Sequence, residues 1–498
     1  ETRLDHHLLT LDTRKGEVET HLAPRFEDCP HCGTDGPINV AIDQPEPIRL
    51  TPRATGGDGD GGWRALTAEE AVERLESIVS PLTGIVPRVD NLNPAPGLHI
   101  AVANQANRER VDPRENRRLG KPEAAGGKGL TKTQARMSCL AEAVERYSCG
   151  WTGTEPRRRA TIAQLGDHAV QPETVLGFSD GQYDNRDELN KGADGMHIVP
   201  ERFDPERTIE WSPAWSLTAD EPRWLPSRYS YYNYQAQDDV PGDHRFCHAD
   251  SNGCASGGNL EEAILQGMLE LIERDAIAIW WYNRLSYPAA DLSGVDTNLL
   301  DAMERFHAKR DLRFEVLDLT ADFGIPVCAT VSSRKADGGA VTIGFGAHLD
   351  PVVAAQRSLT EVNQLLPFND DGAFAMDGEK FVAAKDWYEN ARLADHPYLV
   401  SSKDIEAPEL APGIGEVNSI DDAVRFCVDR LAEFGHEVVV LDFNRKDVPL
   451  SAVRTAAPGI CHFWNRRGVR RLFEAPVRMG RLDKPLREDE LNPISFYV

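Results

Sequence analysis

The sequence predicts a mixed α/β chain of the α+β kind, and three observations carry that reading. Two long runs repeat apolar residues at helical spacing: "TKTQARMSCLAEAVERYS" (131–148) and "EEAILQGMLELIERDAIAIWWYN" (261–283). Short apolar, largely β-branched runs such as "LHIAVAN", "IPVCATV", "AVTIGFG" and "EVVVLDF" read as strands. No segment recurs at the period of a solenoid or propeller.

Taken in order, residues 1–50 read as a small separate piece, with a "CPHC" knuckle at Cys29–Cys32 and a strand-like "INVAI" behind it. "RATGGDGDGGW" (53–63) is turn-rich, so residues 51–63 are assigned to a linker and 64–498 to the main domain. "TAEEAVERLESIV" (67–79) reads as a helix and "LHIAVAN" (98–104) as a strand. The helix of 131–148 starts at Thr131 or Thr133. Residues 150–245, rich in Pro, Asp and Tyr, yield only short elements. The run 261–283 is the strongest helix, with "WWYN" (280–283) as its buried end. Beyond it helices alternate with "RFEVLDL", "IPVCATV", "AVTIGFG" and "EVVVLDF".

At 498 residues and 41% hydrophobic content the chain has ample material for a large core. Eighty acidic residues against 55 basic ones leave a formal charge of -25, which argues against nucleic acid or an anionic membrane as a partner. No apolar run approaches the roughly 20 residues that span a bilayer. Nine cysteines, mostly single and in apolar contexts, read as reduced thiols of a cytoplasmic protein.

The two long helices share a device, Glu-x-x-Glu-Arg, in "EAVERYS" (142–148) and "ELIERDA" (270–276). Residues three and four apart share a helix face. Glu262, Gln266, Glu270 and Glu273 therefore form one polar stripe, and Ser138, Glu142 and Glu145 another, with Arg146 beside it. One reading is a pair of amphipathic helices with solvated acidic faces. The other is an all-oxygen cation site between the helices, since carboxylates at i, i+4 repel unless a cation sits there. Glycine-rich stretches, "AAGGKGLTK" and "DSNGCASGGN", approach each copy, and Lys128, Arg146 and Arg274 lie nearby, which suits Mg²⁺ with a nucleotide polyphosphate. No P-loop, kinase signature or dinucleotide fingerprint is present.

Ser138-x3-Glu142-x2-Glu145-Arg146 resembles the first ATP-binding signature of the YcaO family. "SGGNLEEAILQGMLELIERDA" resembles its second, with Glu262, Gln266, Glu270 and Glu273 at matching spacings. "GKGLTKTQAR" and "FGAHLDPVVAAQRSLTEVNQ" (345–364) are similar to flanking stretches of the family's peptide-maturase, thiazole/oxazole-forming branch. One departure is Ala255, where the family usually has serine; Ser256 and Asn259 are the neighbours that could substitute.

The resemblance implies a YcaO-type fold with an ATP site between acidic helices. It further implies ATP-dependent cyclodehydration, in which a Cys, Ser or Thr side chain of a precursor peptide attacks the preceding carbonyl. ATP phosphorylates the oxyanion, and phosphate leaves to give a thiazoline or oxazoline. Carried over by position, Glu142, Glu145, Glu262, Glu270 and Glu273 would hold Mg²⁺. Lys128, Ser138, Arg146, Ser256, Asn259, Gln266, Arg274 and Arg357 would contact the nucleotide. The implied partners are a ribosomal precursor peptide, a separate leader-recognition protein, a flavin dehydrogenase and a second copy of the chain.

Residues 1–50 look like the tail of the family's partner domain that resembles ubiquitin-activating enzymes. Its Cys29 and Cys32 fit a zinc knuckle, with His21 and His31 as fillers, or an unmetallated remnant. Azoline-forming relatives usually end in Pro-x-Pro-x-Pro reaching toward the site, whereas this chain places Pro493, Ser495 and Tyr497 at that spacing. One surviving proline keeps cyclodehydration first, with thioamide formation using a sulfur-delivering partner second and a non-catalytic scaffold third. "FWNRRGVRR" (463–471) reads more readily as a solvated basic cluster than as a docking patch. His348 and Cys254, in glycine-rich turns, are the candidates for a base or nucleophile.

Overall fold

The computed structural model describes residues 7–23, 41–54, 62–95, 97–104, 110–112, 117–119, 124–191, 193, 195–234, 244–370 and 382–496. From the N-terminus, β1 (His7–Asp12) and β2 (Glu17–Leu22) form a hairpin. Helix α1 (Ala68–Leu75) precedes β3 (Val89–Ala95), β4 (Leu98–Asn104), the short pair β5 (Arg110–Asp112) and β6 (Arg117–Leu119), β7 (Ala124–Gly129) and α2 (Lys132–Ser148). Next come β8 (Arg158–Ala160), β9 (Ile209–Ser216), β10 (Glu221–Pro226), β11 (Cys254–Gly257) and α3 (Leu260–Asn283). Helix α4 (Thr297–Ala308), β12 (Leu312–Asp318), β13 (Val327–Arg334), β14 (Thr342–Ala347) and α5 (Pro351–Asp370) follow. The chain finishes with α6 (Ile420–Glu433), β15 (Val439–Asp442), β16 (Ser451–Ala456) and α7 (Arg470–Arg478).

The α/β expectation holds. A six-stranded sheet runs β10-β9-β15-β16-β11, with β8 also on β9, and two three-stranded sheets run β3-β4-β7 and β12-β13-β14. Their strand pairs are antiparallel. Helix α2 lies on β7, α5 on β14, and α3 on β11 and β16, so three helices converge where three sheets meet.

The side chain of Thr131 caps α2 by accepting from the Gln134 N–H, which decides between the two predicted starts, and Asn259 caps α3 in the same way. Helix α3 is buried nearly all round, Glu261 (1% exposed) and Glu262 (5%) included, so the reading of a solvated acidic face is overturned. Its C-terminal aromatics are buried as expected, and each spends its polar tip on a carbonyl. Trp280 Nε1 donates to Tyr398 O (3.0 Å), Trp281 Nε1 to Ile494 O (2.8 Å) and the Tyr282 hydroxyl to Phe463 O (2.8 Å).

The glycine-rich stretches are not phosphate loops at their centres; they are strands under helices. A Cβ on Gly127 of β7 would lie 2.0 Å from the Ala135 carbonyl oxygen and 2.3 Å from Cys139 N of α2. One on Gly257 of β11 would lie 2.5 Å from Ala263 N of α3. Only glycine lets backbone approach backbone this closely.

One other expectation is corrected. In "FWNRRGVRR", Arg471 is buried between Asp275 (2.8 Å) and Asp322, and Arg466 is buried over the Phe178 ring, 3.9 Å from its centroid. Carboxylates and rings inside the protein, not solvent, hold these charges. The segment placed at the domain and linker boundary packs on the main body: Arg53 N–H donates to Asp421 (2.9 Å), and Ile42 N–H to the Arg157 carbonyl (3.2 Å). Cys29, Cys32, His31 and most of "INVAI" lie outside the described residues. His21 is engaged at both ring nitrogens, 2.9 Å from Thr10 Oγ1 and 2.9 Å from Ser80 Oγ. Among the described residues no helix is long and apolar enough to cross a membrane.

Gly127→Ala drives a methyl into α2 and is expected to destabilise the fold by about 2–3 kcal/mol. Urea unfolding measures this directly, and an unchanged midpoint would contradict the close approach.

Candidate functional site

Helices α2, α3 and α5 and strand β7 line an open cavity of about 290 Å³. Its polar wall is built from Lys128 on β7, Ser138 and Glu145 on α2, Gln266, Glu270, Glu273 and Arg274 on α3, and Arg357 on α5. Eight of the residues carried over for metal or nucleotide therefore meet here from four elements spread between Ala124 and Asp370. Leu130, Met137, Leu269, Leu299 and Phe345 supply an apolar flank.

Acids and bases alternate around the wall. Arg274 binds Glu273 (2.7 Å) and Glu270 (3.2 Å), and Glu270 also accepts the Gly253 N–H (2.9 Å). Arg357 donates to Gln266 Oε1 (2.9 Å) and to the Ala347 carbonyl (3.0 Å). Lys128 pairs with Glu361, whose other oxygen accepts from Phe345 N–H (3.3 Å). Buried atoms of this wall are left without hydrogen-bond partners: Gln266 Nε2, Arg274 Nε and Arg64 Nε.

The carboxylates feel one another across the cavity. Burial pushes Glu145 well above the ordinary range; Arg146 opposes this, and Glu270 and Glu142 add to it. Glu270 is likewise raised by burial, against Arg274 and Arg146. Burial, opposed by Arg274 and reinforced by Glu361 and Glu270, pushes Glu273 up to about 7. Glu361 goes the other way: burial would raise it, but Lys128 and Arg274 hold it low. Burial and the neighbouring Arg64 push Arg357 down to about 9.

Five of the predicted residues do not line the cavity. Glu262 gives its carboxylate to Arg64 Nη1 (3.0 Å), Ala65 N–H (2.9 Å) and Gly258 N–H (3.0 Å). Glu142 accepts from Gly126 N–H (3.0 Å) and Arg146 (3.4 Å), and Arg146 reaches Tyr232 OH (2.9 Å). The Ser256 hydroxyl donates to the Ala141 carbonyl (2.7 Å), pinning β11 to α2, and Asn259 spends its oxygen on the Glu262 N–H (2.8 Å). Among the described residues no three His, Cys, Asp or Glu stand as a ready-made metal cluster. Glu262 and Glu142 each have N–H and guanidinium partners of their own.

Cys254 lines the cavity, its thiol lowered from its usual value because Cys149 and Arg454 outweigh burial. His348 is fully buried, accepts from Asp350 N–H (2.9 Å), and is kept neutral by burial and the nearby Arg357 and Arg64. The tail is packed through Phe496, whose ring meets Trp281 (4.8 Å), Phe345 (5.5 Å) and Phe463 (5.6 Å), and Phe345 is a cavity wall. Pro493 is exposed, Ser495 half-buried, and Tyr497 lies outside the described residues.

Sequence reasoning passed over two charged members of the wall. Glu361 had a signal, since it lies one helical turn beyond Arg357 on the same face. Arg64, a single base at the end of a turn-rich stretch, had none.

A pocket that sets buried carboxylates against guanidinium groups suits an anionic ligand together with a cation. The chain belongs to the YcaO family: residues 126–461 match the family described as YcaO cyclodehydratase, ATP- and Mg²⁺-binding. It is similar to a heterocyclase solved in complex with substrate and cofactor, 39% identical, TM-score 0.86, over 100% of this chain and 65% of that one. It is also similar to the heterocyclase TruD, 35% identical, TM-score 0.75, over 99% of this chain and 61% of that one. An uncharacterized protein of Methanothermobacter thermautotrophicus is 29% identical over 338 residues, 67% of this chain and 80% of that protein. This chain thus spans 65% and 61% of the two heterocyclases' length.

Glu273, raised to about 7 from 4.5, keeps in the fold a proton that the unfolded chain loses first. The folded state then binds more protons across that window, so its contribution to metal-free stability falls as pH rises from 4.5 to 7. Urea unfolding at several pH values should show Glu273→Gln flattening this slope. An equal slope in both proteins would contradict the raised value.

Proposed function

We propose that this chain is the ATP-using component of a peptide cyclodehydratase. It acts on a ribosomal precursor peptide, closing a Cys, Ser or Thr side chain onto the preceding amide carbonyl to form a thiazoline or oxazoline. The observation that carries the reading is the cavity in which Glu145 of α2 confronts Glu270 and Glu273 of α3, with Lys128, Arg274 and Arg357 interleaved. Family membership and the likeness to two heterocyclases support it.

The donor set fits Mg²⁺ and ATP. Glu145, Glu270, Glu273 and Glu361 offer the hard oxygens that Mg²⁺ prefers, with Glu142 and Glu262 behind them. Lys128, Arg274, Arg357 and the orphaned amide of Gln266 offer donors to phosphate oxygens, and Ser138 a hydroxyl. Bound ATP supplies the phosphoryl group that makes the amide oxygen a leaving group, and the peptide's net change is loss of one water. The protein's part is positioning and charge compensation, which dominate phosphoryl transfer. Arg146 holds Glu145 and Glu142 in place from outside the cavity (3.7 and 3.4 Å). The expected partners are a leader-recognition protein, a flavin dehydrogenase that acts after cyclisation, and a second copy of the chain. Residues 64–498 carry the catalytic body.

The test incubates the protein with a Cys-containing precursor peptide, its recognition partner, ATP and Mg²⁺, and reads the peptide by mass spectrometry. The expected product has lost one water per ring, with one phosphate released for each. Exchange of oxygen for sulfur would replace this reading by thioamidation. An unchanged peptide with bound but unhydrolysed ATP would make the chain a scaffold.

A further inference from the structure

The stretch "FWNRRGVRR" is fixed against α3 on both sides of its first residue. Asp275, fully buried and next to Arg274 in the chain, accepts the Cys461 N–H (3.0 Å) and holds Arg471 (2.8 Å). The Phe463 carbonyl accepts the Tyr282 hydroxyl (2.8 Å) from the far end of the same helix. Phe496 stands at 85° to the Phe463 ring, with 5.6 Å between centroids. The buried Phe463 ring therefore has a fixed place, and that place is against the cavity wall. The guanidinium carbon of Arg274 lies over it, 4.6 Å from the ring centroid.

A guanidinium is planar, with its N–H donors at the edge and its attraction to aromatic rings on the face. Arg274 spends its edge on Glu273 (2.7 Å) and Glu270 (3.2 Å), and its Nε has no hydrogen-bond partner among the described residues. On the nucleotide reading those edge bonds change hands, the carboxylates going to Mg²⁺ and the donors to phosphate oxygens. The contact with Phe463 uses the face, so it competes with neither partner. The ring is buried and the guanidinium largely so, the condition in which this attraction is strongest. Phe463 itself does not line the cavity, and it lies beyond residues 126–461, the part that matches the family.

Resting on the nucleotide reading above, we propose that Phe463 is a positioning residue for Arg274. Its ring keeps the guanidinium at the cavity wall while the edge passes from carboxylates to phosphate oxygens. Phe463 touches neither nucleotide nor metal and acts only through Arg274. Affinity for Mg²⁺-ATP then depends on the charge of a ring face outside the cavity, and not only on the volume that the ring fills.

Calorimetric titration of Mg²⁺-ATP on the full chain tests this, with Phe463 replaced by phenylalanines carrying one, two and three ring fluorines. Fluorine draws negative charge from the ring face and changes its size little, so affinity should fall stepwise, to about fivefold weaker at three fluorines. Phe463→Leu, apolar but without a ring face, should weaken binding to a similar degree. If the leucine variant does not fold, the fluorine series alone decides. Affinity that stays level across the series would reduce Phe463 to packing and overturn the inference, whether or not leucine weakens binding. Failure of the wild type itself to bind Mg²⁺-ATP would instead overturn the nucleotide reading.

Discussion

The structure depends on keeping carboxylates from two helices facing one another inside a protein. Glu145 on α2 and Glu270 and Glu273 on α3 are raised above their ordinary range by burial, and Glu145 and Glu273 also by Glu270, so their charged forms work against the fold. Guanidinium groups compensate. Arg146 braces the α2 acids, Arg274 bridges the α3 acids, and Lys128 neutralises Glu361. In this account the same cations have two partners in succession, carboxylates in the empty state and phosphate oxygens in the occupied one. On the proposed function a divalent cation would then take over the carboxylates.

Everything around the cavity serves that confrontation. Gly127 and Gly257 let α2 and α3 settle onto their strands at backbone distance, and Ser256 ties β11 to α2. The aromatic end of α3 anchors it in the core, and Phe496 brings the C-terminal residues against Phe345 at the cavity wall. At the other end, Glu261 and Glu262 fasten the N-terminal segment over the same helix.

The two site helices were legible in the sequence because their spacing, caps and paired motifs agree, and Thr131 and Asn259 do cap them. The strands 312–318, 327–334 and 342–347 were legible from their β-branched runs. The β9–β10 hairpin was not, since "IEWSPAWS" and "EPRWLP" carry prolines that argue against strands. The glycine stretches suggested loops because a sequence cannot show that a helix lies on them. Arg466 and Arg471 suggested solvent because Phe178, Asp275 and Asp322, which bury them, are far away in sequence. Of the candidate site, the carboxylates and most cations were readable by spacing. Arg64 depends on a single long-range ion pair with Glu262, which no local pattern reveals.

The most direct test of the central claim is a calorimetric titration of ATP with and without Mg²⁺, on the wild type and Glu270→Gln. The account predicts saturable binding that requires Mg²⁺ and falls by at least about tenfold in the variant, the scale of a lost charged ligand. Binding that ignores both the metal and the substitution would place the nucleotide elsewhere and leave the facing carboxylates without the role given them.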